Sequence, residues 1–162
     1  MSDLNKAAET LNRLKDEEVR IVYLPPSMVL SHHAMGDEGP YDPLLGDFER
    51  DLAKIKPDFR HYGYDHNVGY EPGYERIVTI PDDMTINPPF TKRHFPGGMY
   101  AACVLPVYDY DKGWGRLIQW AATSEKYEYV VDVQCLEEHN SAAMIITGAE
   151  EYIDLLLPIK LR

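Results

Sequence analysis

The sequence predicts an α+β fold: two duplicated β-α-β-β units related by a pseudo-twofold axis. They share an antiparallel sheet with helices on one side and a ligand groove between the halves. Three observations predict it. Segments recur in the same order. Leu24-Pro25-Pro26-Ser27-Met28 aligns with Phe95-Pro96-Gly97-Gly98-Met99 at an offset of 71 residues, and Tyr64-Asp65-His66-Asn67 with Glu137-Glu138-His139-Asn140 at 73. Ile77-Val78-Thr79-Ile80-Pro81 aligns with Leu155-Leu156-Leu157-Pro158 at 77. Ordered internal repetition is the signature of a duplicated unit. In each copy a β-prone stretch gives way to a capped helical pattern of period 3.6. The length, 162 residues, suits one domain with a single sizeable core.

Residues 2–16 read as a helix capped by Ser2. Leu4, Ala7, Leu11 and Leu14 form an a/d stripe of two heptads. So short a stripe must dock on the domain or pair with a second copy. Val19–Leu24 is a leading strand and Val29–Ala34 begins the first unit. Asp42 is a natural N-cap and Pro43 a natural first helical residue. Leu45, Phe48, Leu52 and Ile55 form the stripe of that helix, and Pro57 stops it. Thr91–His94 is the second leading strand and Tyr100–Leu105 opens the second unit. Asp109 or Asp111 caps its helix, where Trp114, Leu117, Ile118 and Ala121 recur at i, i+3, i+4, i+7. The loop Ser141–Gly148 absorbs the drift in offset.

Glu137 stands out. With residues 130–139 read as one strand, Val131, Val133, Cys135 and Glu137 fall on one face. Asp132, Gln134 and Glu138 lie on the wetter one, with Val130 and Leu136. A carboxylate on an apolar face costs several kcal/mol unless something pairs with it. A cationic or proton-donating partner is one reading. A one-residue bulge, or a strand that ends at Cys135, would instead turn Glu137 to solvent.

The net charge of −11 disfavours nucleic acid and anionic membranes, which reward basic patches, and weakly favours cationic small molecules. No apolar run approaches a membrane span and no signal-peptide core opens the chain, so the cytoplasm is the expected location. Cys103 and Cys135 read as reduced core thiols. The 12 tyrosines suit a pocket wall or a sheet surface equally. Adjacent His32 and His33 point opposite ways on a strand, and His61, His66, His94 and His139 lack close ligand spacing, so no metal is expected. No phosphate loop or nucleophile elbow is present, and no cofactor is expected.

From about Val19 to Lys160 the chain resembles the GyrI-like effector-binding domain, the ligand-sensing module of multidrug-responsive MerR-type and AraC-type transcription regulators. The resemblance rests on Val19-Arg20-Ile21-Val22-Tyr23-Leu24-Pro25-Pro26, Phe95-Pro96-Gly97-Gly98-Met99-Tyr100-Ala101, and the helical pair Trp114 and Trp120. Cys135-Leu136-Glu137-Glu138-His139 and Leu155-Leu156-Leu157-Pro158-Ile159-Lys160 complete it. It implies an effector-binding domain over residues 18–162, behind an N-terminal segment 2–16 that is the tail of a linker or dimerisation helix. The family's acidic position, within apolar–Glu–any–aromatic or His, falls on Glu137. By position, Phe48, Tyr64, Tyr108, Trp114 and Tyr152 would supply an aromatic cage.

Three functions follow from that resemblance. One is a non-enzymatic sensor of lipophilic, cationic aromatic compounds, with no direct DNA or membrane contact and a homodimer through residues 2–16. Another is a GyrI-like hydrolase of electrophilic cyclopropane-type toxins, with Glu137 as general base. The last is a gyrase-inhibitor-like interaction module acting through its acidic surface.

Overall fold

Residues 3–4, 13–35, 42–106, 110–140 and 152–162 are described in the computed structural model. After a 3-10 turn at Asp16–Glu18 come β1 (Arg20–Leu24), β2 (Ser27–Met35), α1 (Pro43–Ile55), β3 (His61–Asp65) and β4 (Gly73–Thr79). Then follow β5 (Thr91–Phe95), β6 (Gly98–Pro106), α2 (Tyr110–Thr123), β7 (Tyr127–Tyr129), β8 (Leu136–His139) and β9 (Tyr152–Leu161).

The strand order is β1-β6-β9-β8-β3-β4-β2-β5, with β7 on the far end of β9. Every pairing is antiparallel. From the central β8·β3 seam outward the two halves mirror each other, as a pseudo-twofold requires. The leading strands are exchanged: β1 edges the second unit through β6, and β5 edges the first through β2. Each copy is thereby tied to the other. The seam itself is short, with His61 opposite His139, Tyr62 opposite Glu138 and Gly63 opposite Glu137. Arg60 straps it through two 2.8 Å bonds to Glu138, a bidentate geometry that fixes register as well as adding energy.

The sheet is curled. Phe95 on β5 lies 5.5 Å from the ring of Tyr62 on β3, although those strands stand three places apart and would be ~14 Å away in a flat sheet. The helix-free face is therefore the concave one. It carries a core of Leu24, Val29, Tyr62, Ile77, Tyr100, Ala102, Leu136 and Leu156. Both helices lie on the other face, over separate apolar patches. α2 covers Ala101, Cys103, Ile153, Leu155 and Leu157; α1 covers Leu30, Val78 and Ile80.

Asp42 caps α1 by accepting from Leu45 N at 3.1 Å, and Pro43 holds the first position. The buried stripe is Leu45, Glu49 and Leu52. Ile55, expected inside, is 65% exposed because the helix has reached its last turn. On α2, Leu117, Trp120 and Ala121 are buried while Ile118 faces outward. Gly113 lets α2 sit close to the sheet, since a Cβ there would fall 2.6 Å from Leu155 and 2.8 Å from Leu105.

Of the single strand expected over 130–139, only β8 forms; residues 130–135 are a turn and loop that follow β7. Val133 N bonds back to Val130 O at 3.3 Å, and Val131 is 77% exposed. Most of the expected helix 2–16 falls outside the described residues. Its end does not run on as helix: residues 16–18 form the 3-10 turn, Leu14 packs beneath α2, and Trp120 Nε1 donates to Asp16 at 2.9 Å.

Candidate functional site

Between the two apolar helix patches, over the β8·β3 seam, the helix-bearing face turns polar. Strand register places Glu137 and His139 of β8, His61 and Gly63 of β3, and Tyr74 and Arg76 of β4 on this face. Glu137 pairs with Leu155, a residue of the α2 patch, so its carboxylate stands at the edge of that apolar ground. Glu137 is partly buried and His139 buried.

Tyr74 organises the strip. Its hydroxyl donates to Glu137 Oε2 at 3.1 Å and lies 2.9 Å from His139 Nε2. A phenol has one proton, so with Glu137 accepting it, His139 Nε2–H donates to the Tyr74 oxygen. The His139 ring packs 4.9 Å from that of His61. His61 Nδ1 in turn lies 2.7 Å from Glu49 of α1, both side chains being buried. A chain of polar groups thus runs from α1 across the seam: Glu49, His61, His139, Tyr74, Glu137.

Gly63 makes this geometry possible. A Cβ on residue 63 would overlap the Tyr74 hydroxyl and ring, so the glycine leaves the lane along which Tyr74 reaches Glu137. The guanidinium of Arg76 sits 5.1 Å from the Tyr74 ring centroid. Burial, then the negative charge of Glu137, push the Tyr74 phenol well above the usual tyrosine range. Tyr74 therefore stays a neutral donor through the physiological pH range. Chemically, the strip presents a carboxylate, oriented by a phenol, in surroundings drier than water. It can hold a cation or accept a proton.

Two of the other residues expected around Glu137, Tyr64 and Tyr152, face the opposite side of the sheet. Tyr64 lies one residue past Gly63, so alternation sends it to the concave face, where Arg93 donates to its hydroxyl at 3.2 Å. Tyr152 shares the Asp154 and Leu156 side and is 54% exposed. Phe48 packs 5.6 Å from Phe90 at the α1 patch. Trp114 packs against the α2 patch. Tyr108 lies outside the described residues. The phenol that meets Glu137 is Tyr74, on the neighbouring strand of the first unit. Sequence reading missed it, together with Glu49 and Arg76. A faint signal was the isolated glycine in a tyrosine-rich strand, Tyr62-Gly63-Tyr64, where a missing side chain often marks a close approach.

A hollow of about 270 Å³ opens on the concave face between the halves. Tyr64, Arg93, Phe95, Tyr100 and Leu136 contribute to its wall. Among the described residues no helix is long and apolar enough to cross a membrane.

The family model Cass2, integron-associated effector binding protein, matches residues 20–159. No curated protein matches the sequence. The C-terminal domain of EcmrR is 14% identical with a TM-score of 0.62, covering 88% of this chain and 96% of that one. EcmrR in a DNA complex is also 14% identical, with a TM-score of 0.64. That match covers 97% of this chain but only 63% of the EcmrR chain. A hydrolase from Listeria innocua is 12% identical with a TM-score of 0.60, covering 96% and 98% of the two chains. At such identities these likenesses show a shared fold, that of GyrI-like effector-binding domains. With the family match spanning nearly the whole sheet, the chain belongs to the integron-associated effector binding proteins.

Proposed function

We propose that this domain is a cytoplasmic sensor of lipophilic, cationic aromatic molecules, with Glu137 as the anion that receives them. The observation that carries the reading is the Glu137–Tyr74 pair, at 3.1 Å, set between two apolar helix patches. Apolar surface on either side rewards flat hydrophobic rings at ~25 cal/mol per Å² buried. The carboxylate supplies the preference for positive charge. A unit pair at about 4 Å is worth ~1 kcal/mol in water and ~4 kcal/mol at an effective dielectric of 20. Glu137 is partly exposed, so an intermediate value of ~2 kcal/mol applies, or ~30-fold in affinity.

The match to the C-terminal domain of EcmrR, a protein also seen on DNA, supports a role as the effector module of a regulator. Residues 2–16 then provide the link to a further segment or a second copy. The test is Glu137→Gln, titrated with a cationic dye and a neutral dye of equal shape. The cationic dye is expected to lose ~30-fold and the neutral one under ~3-fold. Equal losses remove the electrostatic role.

One observation favours a second reading. Tyr74 gives Glu137 the proton-donating partner a hydrolase needs, and His139 Nε2 lies 2.9 Å from that phenol. Glu137 would take a proton from water as the water oxygen bonds to a ring carbon; the ring C–C bond breaks, and the neutral Tyr74 phenol would protonate the acceptor group that receives its electron pair. Turnover of a cyclopropane electrophile that Glu137→Ala abolishes would establish it.

A further inference from the structure

Another set of ionisable side chains lies on the concave face, away from Glu137. Strand pairing places His33 of β2 directly opposite Glu75 of β4, and Tyr64 of β3 opposite Glu75 from the other side. The pairing continues past the end of β3, where His66 N bonds to Gly73 O at 2.9 Å. His66 is thereby diagonal to Glu75, within reach for long side chains. One ring nitrogen of His33, one of His66 and a carboxylate oxygen of Glu75 all lie within 4.8 Å of one another.

We propose that His33, His66 and Glu75 bind one divalent transition-metal ion of the zinc type. The donor set, two imidazoles and a carboxylate, suits zinc, cobalt or nickel rather than the oxygen-loving magnesium and calcium. It leaves a fourth position for water or for a donor atom of a ligand. Bonds of ~2.0–2.1 Å in a tetrahedral site require donors ~3.3–3.5 Å apart. His66 Nδ1 and Glu75 Oε2 already stand 3.4 Å apart. His66 is exposed, so its side chain rotates without disturbing the core.

Neighbouring groups orient these ligands by hydrogen bonds and packing. Ser31 donates to the other oxygen of the buried Glu75 carboxylate and orients it. His33 Nε2 donates to the His66 carbonyl at 2.7 Å, leaving the lone pair of the neutral ring on Nδ1. The two imidazoles pack edge to face at 4.9 Å. A Cβ on residue 73 would fall 2.6 Å from His33 Nε2, so Gly73 keeps the space open. The three residues are scattered along the sequence, at positions 33, 66 and 75, which is why ligand spacing did not reveal them. The ion would tie β2 and β4 to the end of β3, beside the Tyr64 and Arg93 hollow.

Equilibrium dialysis with Zn²⁺ and absorption spectroscopy with Co²⁺ test this on the full chain. The variants are His33→Ala, His66→Ala and Glu75→Gln, with His94→Ala on exposed β5 as control. One ion per chain is expected for the parent and the control, with a tetrahedral Co²⁺ ligand-field band. Affinity should fall more than ~10-fold in His33→Ala and His66→Ala. Because His66 is exposed, His66→Ala keeps its fold and decides the matter even if Glu75→Gln does not. Absence of saturable uptake, or uptake indifferent to His66→Ala, overturns the proposal.

Discussion

Replacing Gly63 by alanine is the sharpest test of how the polar strip is assembled. Gly63 does not have a positive φ, so alanine fits its backbone. It does not fit its surroundings, because the new Cβ would overlap the hydroxyl and ring of Tyr74. Tyr74 must swing away and give up its contacts with Glu137 at 3.1 Å and His139 at 2.9 Å. Two such hydrogen bonds, one to a charged acceptor, contribute ~2 kcal/mol together. Overpacking adds ~1 kcal/mol, and alanine's better strand propensity returns ~0.5–1 kcal/mol. The net destabilisation is ~2 kcal/mol, or ~4–8 °C in Tm for a domain of this size. Thermal and urea denaturation of Gly63→Ala measure it. In a Tyr74→Ala background the obstruction is gone, so Gly63→Ala should be neutral or stabilising there, a coupling of ~2–3 kcal/mol. A neutral Gly63→Ala in the parent protein would refute the placement of Tyr74 over Gly63.

Two further outcomes are expected. Tyr62 and Tyr74 are both held above the usual phenol range, chiefly by burial. Above about pH 10 the unfolded chain therefore loses protons that the native chain keeps. Their stabilisation is full below that pH and falls as pH rises, by ~1.4 kcal/mol per unit for each tyrosine. Urea midpoints between about pH 9 and 11 should show the decline, and Tyr62→Phe should reduce its slope. Asp42→Ala removes the cap on Leu45 N and the 2.5 Å contact with His32. It should cost ~1–2 kcal/mol by denaturation, without changing dye affinity at Glu137.

What the sequence made legible was local or repetitive. Asp42-Pro43 and Pro57 bracket α1 because capping and ring closure act within one turn. The order of repeated segments revealed the duplicated fold because both copies obey the same strand and helix periods. The exchange of β1 and β5 between halves was not legible, since register between distant strands leaves no mark in a linear pattern. The same limit split the expected cage. Alternation through Val131, Val133 and Cys135 predicts the face of Glu137, yet all three sit in the turn and loop before β8. Its face is set instead by Gly63 and Leu155 across the sheet. The repeat sets Tyr64 and Glu137 in equivalent positions, but Glu137 lies opposite Gly63, and Tyr64, the next residue along β3, faces the other side of the sheet. Glu49 escaped notice because it occupies a slot of the α1 stripe that reads as apolar, and its partner His61 comes from another element.

The most direct test is a crystal structure of the protein with a bound cationic aromatic dye. The dye's charge should lie within about 6 Å of the Glu137 carboxylate, with its rings on the apolar ground beside the seam and the Tyr74 bond re-formed or displaced. A dye seated instead in the concave hollow of Tyr64 and Arg93, with the Glu137–Tyr74–His139 contacts untouched, would contradict it.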